Sequence, residues 1–167
     1  VILNWNGQKD TVSCIKSIEK CADKNISLSI VVVDNGSTDD SVVKIRGLKL
    51  KNVVLIENNE NLGFSKGNNA GIKFAKESGA DYICVLNNDT EVSINLFSDL
   101  LQFAKDHTNL GIVSPKIYFY KGFEFHKKRY KEADLGKVIW YAGGIIDWEN
   151  VYGSNENVDE VDHGQVT

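Results

Sequence analysis

The sequence predicts an α/β fold with a mostly parallel central sheet flanked by helices. Three observations carry this. Strand-length apolar segments alternate with segments of helical periodicity as far as residue 117. The stretch Leu28 to Val33 is a β-branched run without polar alternation, as in a strand covered on both faces. The loops that follow the strand-like segments are rich in Asn, Asp, Gly and Ser, and in open parallel sheets ligands bind beyond the carboxyl ends of strands.

Taken in order, Val1 to Leu3 ends a first strand. Residues Asp10 to Ala22 put Val12, Ile15, Ile18 and Cys21 on one helical stripe, with Asp10 or Thr11 as its cap. Leu28 to Val33 is the second strand. A short helix follows, capped by Ser37, Thr38 or Asp39. Val53 to Ile56 is a third strand. Ser65 to Ser78 reads as a helix with Ala70, Phe74 and Ala75 inward and Gly79 at its end. Tyr82 to Leu86 is a fourth strand, and Ile94 to Lys105 a helix carrying Leu96, Leu100, Leu101 and Ala104. Ile112 to Ile117 is a fifth strand, at an edge or bend because of Pro115. From Tyr118 the pattern degrades into a charged excursion, with Lys127, Lys128, Arg129 and Lys131 in a basic cluster that reads first as a solvated loop and second as a contact with an anionic acceptor. Val138 to Tyr141 is strand-like, followed by Gly143 and Gly144.

Composition narrows the function. The 167 residues carry a net charge of -4, with 42% hydrophobic and 25% charged residues, as in an ordinary globular domain. An acidic balance speaks against nucleic acid as the main partner. No apolar run approaches the ~18 residues of a membrane span. Cys14, Cys21 and Cys84 form neither a CxxC nor an even set, so they read as small buried hydrophobes. His107, His126 and His163 lie apart, without zinc spacing. The chain opens on Val1 inside a strand, so further residues are expected before it.

The loops carry the chemistry. After the first strand comes Asn4-Trp5-Asn6-Gly7, and after the second Asp34-Asn35-Gly36-Ser37-Thr38-Asp39. Near the end of the third come Glu57 to Asn61 and then Leu62-Gly63-Phe64. After the fourth comes Asn87-Asn88-Asp89. Two readings stay open for Asp34: it accepts from a pyrimidine imide or a ribose hydroxyl, or it makes an Asx turn. Asp89 is a hard oxygen ligand suited to Mg²⁺ or Mn²⁺ when a diphosphate supplies further oxygens, and equally suited to a turn. The dinucleotide G-x-G-x-x-G and the P-loop signatures are absent.

VILNWNG, VVVDNGSTDDS, NENLGFSKGNNAGI and YICVLNNDTEV, in this order, resemble family 2 glycosyltransferases of the GT-A fold. NLGFSKGNNAGI, LNNDTEV and the later YAGGIID are most similar to its rhamnosyltransferase-like branch. The resemblance spans about residues 1 to 147. It implies one GT-A domain, incomplete at both ends, with residues 1–117 as the nucleotide-sugar half and 118–167 as the start of the acceptor half. It implies transfer of a sugar, with inversion, from a UDP- or dTDP-linked donor to a hydroxyl of a saccharide or lipid-linked acceptor, in cell-surface polysaccharide synthesis. By position, Asp34 contacts the donor base and Asn4, Trp5 and Asn6 border its nucleoside. Asn35, Ser37, Asn61, Gly63, Asn68, Asn87 and Asn88 line the nucleotide-sugar pocket, and Asp89 holds Mg²⁺ or Mn²⁺. Trp140, Tyr141, Gly143 and Gly144 lie towards the acceptor.

This chain departs from the common family pattern. Asn87 replaces the first acid of D-x-D, and Asn68 stands where many members have Arg. The family's E-D base motif does not occur, so the base is expected beyond Thr167. The implied setting is cytoplasmic, at the inner face of a membrane, with peripheral association. The alternatives are a nucleotide-sugar binding module without turnover and a nucleotidyltransferase. The latter requires a basic Gly-rich first loop, which NWNGQKD lacks.

Overall fold

A computed structural model gives the fold. It describes all residues except Ala22, Lys24, Val166 and Thr167, and the backbone alone of Lys127. The chain forms two compact units, Val1–Leu101 and Gln102–Thr167.

The first unit holds four parallel strands: β1 (Ile2–Asn4), β2 (Ile30–Asn35), β3 (Val53–Asn58) and β4 (Leu86–Asn87), in spatial order β3-β2-β1-β4. Between them run α1 (Gln8–Glu19), α2 (Ser41–Gly47) and α3 (Gly63–Glu77), and α4 (Leu96–Asp106) follows β4. In register, Asn4 lies opposite Asp34, and Asp34 opposite Glu57.

The period of two along each strand sorts residues between two covered faces. Ile2, Ile30 and Val32 pack with Cys14, Ile15 and Ile18 of α1 and Ile45 of α2. Alternate residues meet α3. A Cβ on Gly71 would lie 2.5 Å from Val1 Cγ1 and 2.8 Å from Val33 Cγ2, so only glycine lets this helix approach so closely. Val32 and Val33 are both fully buried, which explains the uninterrupted β-branched run in β2. Each such side chain contributes about 1.5–3 kcal/mol.

Several expected elements shift. The inward stripe of α1 is Thr11, Cys14, Ile15, Ser17 and Ile18, with Val12 half-buried. The cap position of α1 is Gly7, and neither Asp10 nor Thr11 caps it. α1 ends at Glu19, and the expected end at Ala22 lies outside the described residues. The cap position of α2 is Asp40, without a side-chain cap bond, so none of Ser37, Thr38 and Asp39 caps it; Asp39 makes a turn before it, accepting from the backbone N–H of Ser41 at 3.0 Å. In α3 the buried residues are Gly67, Asn68, Gly71 and Ala75, while Ala70 and Phe74 are half-buried. The fourth strand is Leu86–Asn87 rather than Tyr82–Leu86, in register with Ile2 and Leu3 of β1; beside it Leu86 N donates to Val1 O at 2.9 Å and Val1 N to Cys84 O at 2.7 Å. Residues 112–117 do not form a strand of the central sheet. Pro115 has no N–H for a ladder, Ile112 is 91% exposed, and only Ile117 enters a strand.

The second unit has two antiparallel pairs. β5 (Ile117–Tyr118) pairs with β6 (Ile139–Tyr141), and β7 (Gly144–Asp147) with β8 (Tyr152–Asn155). Residues 159–162 strap β6: Ile139 N donates to Glu160 O at 2.8 Å, Asp159 N to Ile139 O at 2.9 Å, and Asp162 N to Lys137 O at 2.9 Å. Two carboxylates anchor the strap. Asp162 accepts from Lys116 Nζ at 2.8 Å and from the Tyr118 hydroxyl. Asp159 accepts from the Tyr130 hydroxyl, and from Arg129 at 3.1 Å.

Those donated bonds hold the Asp162 carboxyl, through Lys116 and then Tyr118, well below the usual carboxylate range. Asp159 is lowered too, first by Tyr130. Burial and Asp159 push Tyr130 up to about 12. A carboxyl with a depressed folded pKa adds stability above its unfolded value, near ~4, and loses it as pH falls through the folded value. The second unit is therefore expected to unfold at lower urea at pH 3 than at pH 7, followed by the fluorescence of Trp140 and Trp148. Asp162→Asn should shrink that difference; an unchanged difference would show that Asp162 is not its source.

Among the described residues, no helix is long and apolar enough to cross a membrane.

Candidate functional site

Asp34 and Asn35 are adjacent at the end of β2, and the strand's alternation sends them to opposite faces. Each organises its own loop cluster.

On the α1 side, Asn4 is fully buried. Its amide nitrogen donates to Asp34 Oδ1 at 2.7 Å and to Ser37 Oγ at 3.0 Å. Its amide oxygen accepts from Thr11 Oγ1 at 2.6 Å. Thr11 Oγ1 in turn accepts from Asn88 Nδ2 at 3.0 Å. One chain of hydrogen bonds thus joins the ends of β2, β1, α1 and β4. Asp34 Oδ2 accepts from Ser37 N at 2.9 Å, closing the Asx turn. Asp34 is only 2% exposed. Both its oxygens are engaged, and each keeps a second lone pair.

The first loop is stapled over this cluster. Asn6 adopts φ 52°, a left-handed conformation that Asn tolerates better than most residues. Asn6 N donates to Ser37 Oγ at 2.9 Å, and Asn6 Oδ1 accepts from Thr38 N at 2.7 Å. Trp5, 57% exposed, is presented outward beside it. A Cβ on Gly7 would lie 2.4 Å from Asn88 Nδ2, so a larger residue there would push the Asn88 amide from Thr11.

On the α3 side, Asn35 is 1% exposed with its amide fully used. It donates to Asn61 Oδ1 at 2.7 Å and to Gly63 O at 3.3 Å. It accepts from Asn58 Nδ2 at 3.1 Å and Leu62 N at 3.2 Å. Asn35 is therefore a positioning residue for the third loop, where Asn61 Oδ1 also accepts from Gly63 N at 2.8 Å. Asn68 is buried, and its amide donates to Phe64 O one turn back in α3.

The fourth loop contrasts with the second. Asn87 and Asp89 are exposed, and among the described residues the Asp89 carboxylate accepts no hydrogen bond. Asp34 is tied down; Asp89 is open. Among the described residues, no group of three His, Cys, Asp or Glu side chains could hold a metal ion. The donor set present, one exposed carboxylate beside amides, fits a divalent ion that takes its remaining oxygens from a diphosphate and water. Beneath this loop, burial pushes the Cys14 thiol up to about 11. That agrees with an unreactive core cysteine.

Trp140, Tyr141, Gly143 and Gly144 lie in the second unit, on β6 and at its turn into β7. Trp140 is 47% exposed beside fully buried Ile139.

Sequence reasoning took Thr11 as a cap and placed Asn58 in the third loop, and gave neither a role in the site. The signal for Thr11 was present: it shares the inward stripe with Cys14, Ile15 and Ile18, where a hydroxyl needs a partner. Thr11→Val keeps the shape and leaves Asn4 Oδ1 and Asn88 Nδ2 without their partner. We expect a loss of about 1–3 kcal/mol in urea unfolding, largely restored in Thr11→Ser. Equal stability of the valine variant would remove Thr11 from the network.

Comparison with known proteins adds a second line. The description "Glycosyl transferase family 2" matches residues 1–159. The chain is 26% identical over 164 residues to the low-salt glycan biosynthesis hexosyltransferase Agl10 of Haloferax volcanii, covering 98% of this chain and 48% of that protein. It is 31% identical over 100 residues to the minor teichoic acid biosynthesis protein GgaB of Bacillus subtilis, covering 59% of this chain and 11% of that one. The crystal structure of S. aureus TarS 1-349 in complex with UDP-GlcNAc shares the fold, with TM-score 0.57, 18% identity, and coverage of 72% of this chain and 37% of that one. The chain spans about half the length of Agl10 and a smaller share of the others. The fold is shared with TarS, and the family match runs through nearly every element described above. This chain belongs to glycosyl transferase family 2.

Proposed function

We propose that this chain forms the donor-binding part of an inverting glycosyltransferase that moves a sugar from a nucleoside diphosphate to a hydroxyl of a saccharide acceptor. The observation that carries this is the gathering of Asn4, Trp5, Asn6, Asp34, Ser37, Asn88 and Asp89 at the carboxyl ends of β1, β2 and β4. Names among the relatives support it: a hexosyltransferase of glycan synthesis, a teichoic acid biosynthesis protein, and a neighbour in complex with UDP-GlcNAc.

In this reading, Asp34 is pre-oriented by Asn4 and Ser37. It takes the base N–H or a ribose hydroxyl on its remaining lone pairs. Trp5 packs on the nucleoside, and the loop of Asn61 and Gly63 borders the nucleotide. Asn87 and Asn88 bracket the diphosphate. Mg²⁺ or Mn²⁺, held by Asp89, would neutralise charge on the departing diphosphate. The acceptor hydroxyl attacks the anomeric carbon opposite the nucleotide, and its proton passes to a carboxylate base. No residue of this chain is assigned that role. Trp140 and Tyr141 offer apolar faces to an acceptor sugar. The sequence branch suggested by NLGFSKGNNAGI and LNNDTEV makes a rhamnosyl donor the narrower reading.

Calorimetry with UDP and dTDP, with and without Mn²⁺, tests it. We expect Mn²⁺-enhanced binding of one nucleotide, weakened at least ~10-fold by Asp89→Ala, as when a charge-assisted contact is lost. Binding indifferent to both Mn²⁺ and Asp89→Ala would remove Asp89 as a metal ligand. Binding of neither nucleotide by the intact protein would overturn the donor site.

A further inference from the structure

Residues 121–125 invert the usual relation of polarity and burial. Glu124 is 1% exposed, while Phe123 and Phe125 on either side are 73% and 74% exposed. The inversion is built in. Glu124 Oε2 accepts from Gly122 N at 2.9 Å and Oε1 from Gly136 N at 2.7 Å. The carboxylate pins the loop from inside, and the rings of Phe123 and Phe125 on either side stay exposed. Tyr120, 60% exposed, stands edge-to-face with Phe123 at 6.1 Å, and Tyr118 is 40% exposed. Four exposed aromatic rings thus fall within eight residues, and a buried carboxylate fixes two of them. Water alone gives no reason for that arrangement.

The charge around these rings identifies what they face. Residues 118–131 carry Lys121, Lys127, Lys128, Arg129 and Lys131 against Glu124 alone. The rest of the chain has 14 Lys and Arg against 22 Asp and Glu. An acidic protein has gathered a sequence block of net +4 around an aromatic cluster, in which Arg129 is paired with Asp159 from outside the block. Lys121 and Lys128 are exposed. Rings that settle at a lipid–water boundary, ringed by cations that attract anionic headgroups, are complementary to an anionic bilayer. A saccharide platform would instead pair its rings with carboxylates and amides that hydrogen-bond hydroxyls, and the only carboxylate in this segment points inward.

We propose that residues 118–131 form a docking surface for an anionic lipid bilayer, with Phe123 and Phe125 entering the headgroup region and Lys121 and Lys128 among its charge contacts. This surface stands independently of the donor-site reading.

The test is co-sedimentation of the intact protein with phosphatidylglycerol-containing vesicles and with pure phosphatidylcholine vesicles. We expect binding to the anionic vesicles that weakens with salt and is much weaker on the neutral ones. Lys121→Ala with Lys128→Ala should weaken it by roughly 25-fold, since each cation near an anionic surface contributes about fivefold. Phe123→Ser with Phe125→Ser should weaken it by at least about tenfold. Both pairs are exposed, and circular dichroism checks that they fold. Absence of binding to anionic vesicles, or binding unchanged in both variants, would overturn the proposal. So would lipid-free self-association in sedimentation velocity that the serine variants abolish, because the rings would then face a second copy.

Discussion

Asp34→Ala is expected to lower stability by about 2–5 kcal/mol and to abolish nucleotide binding. The carboxylate is buried and serves two donors, the Asn4 amide and the Ser37 backbone N–H. Alanine leaves one N–H of the Asn4 amide, whose other bond to Ser37 Oγ remains, and the Ser37 N–H without an acceptor, at about 1–3 kcal/mol each. The damage should spread, because Asn4 also orients Thr11, and Ser37 also holds the first loop through Asn6 N. Urea unfolding measures the first effect and calorimetry with UDP and dTDP the second. Asp34→Asn separates them: it keeps the volume and one acceptor oxygen, but its NH2 replaces an oxygen that accepts from Asn4 or Ser37, so stability should return only in part. Nucleotide binding should not return if the carboxylate itself receives a donor N–H. Full binding by the asparagine variant would make Asp34 a positioning residue only.

Gly36→Val should be nearly as severe. Gly36 has φ +74°, and a Cβ there would sit 2.9 Å from both the carbonyl carbon and the Cα of Glu60. The left-handed conformation costs an L-residue roughly 1–2 kcal/mol, and crowding against backbone adds about 1–3 kcal/mol. A β-branched side chain makes both worse. The second loop cannot retreat, since its neighbours Asn35 and Ser37 are held from opposite faces. The third loop must therefore move, carrying Asn61 away from Asn35. A loss near 3 kcal/mol in urea unfolding is expected, with Gly36→Ala intermediate. A valine variant as stable as the parent would show that residue 60 has room to yield.

The places where the sequence misled share one cause. Tyr82 to Leu86 and Ile112 to Ile117 are apolar and β-prone, and periodicity reads them as full strands. Yet a strand exists only where a neighbour offers hydrogen bonds in register. β4 pairs with Ile2 and Leu3 at Leu86 and Asn87, with Val1 bonded to Cys84 and Leu86 beside them, and Pro115 has no N–H to offer a ladder. Position in a loop was equally ambiguous for the Asn-rich motifs. Asn35, Asn61, Asn87 and Asn88 look alike in sequence. In the structure Asn35 is sealed and braces the third loop, Asn88 reaches down to Thr11, and Asn87 stays exposed.

The order of strands and helices, the burial of β2 and the polar loops at its carboxyl end were determined by the sequence itself. These depend on composition and period, which are local. The tertiary structure alone decided that Asp34 and Asn35 serve opposite faces, that Thr11 links Asn4 to Asn88, and that Glu124 turns in while Phe123 and Phe125 turn out. Each of those outcomes depends on which distant group lies within about 3 Å of a donor or acceptor. No local pattern encodes that distance; it exists only after the sheet has assembled and its loops have met.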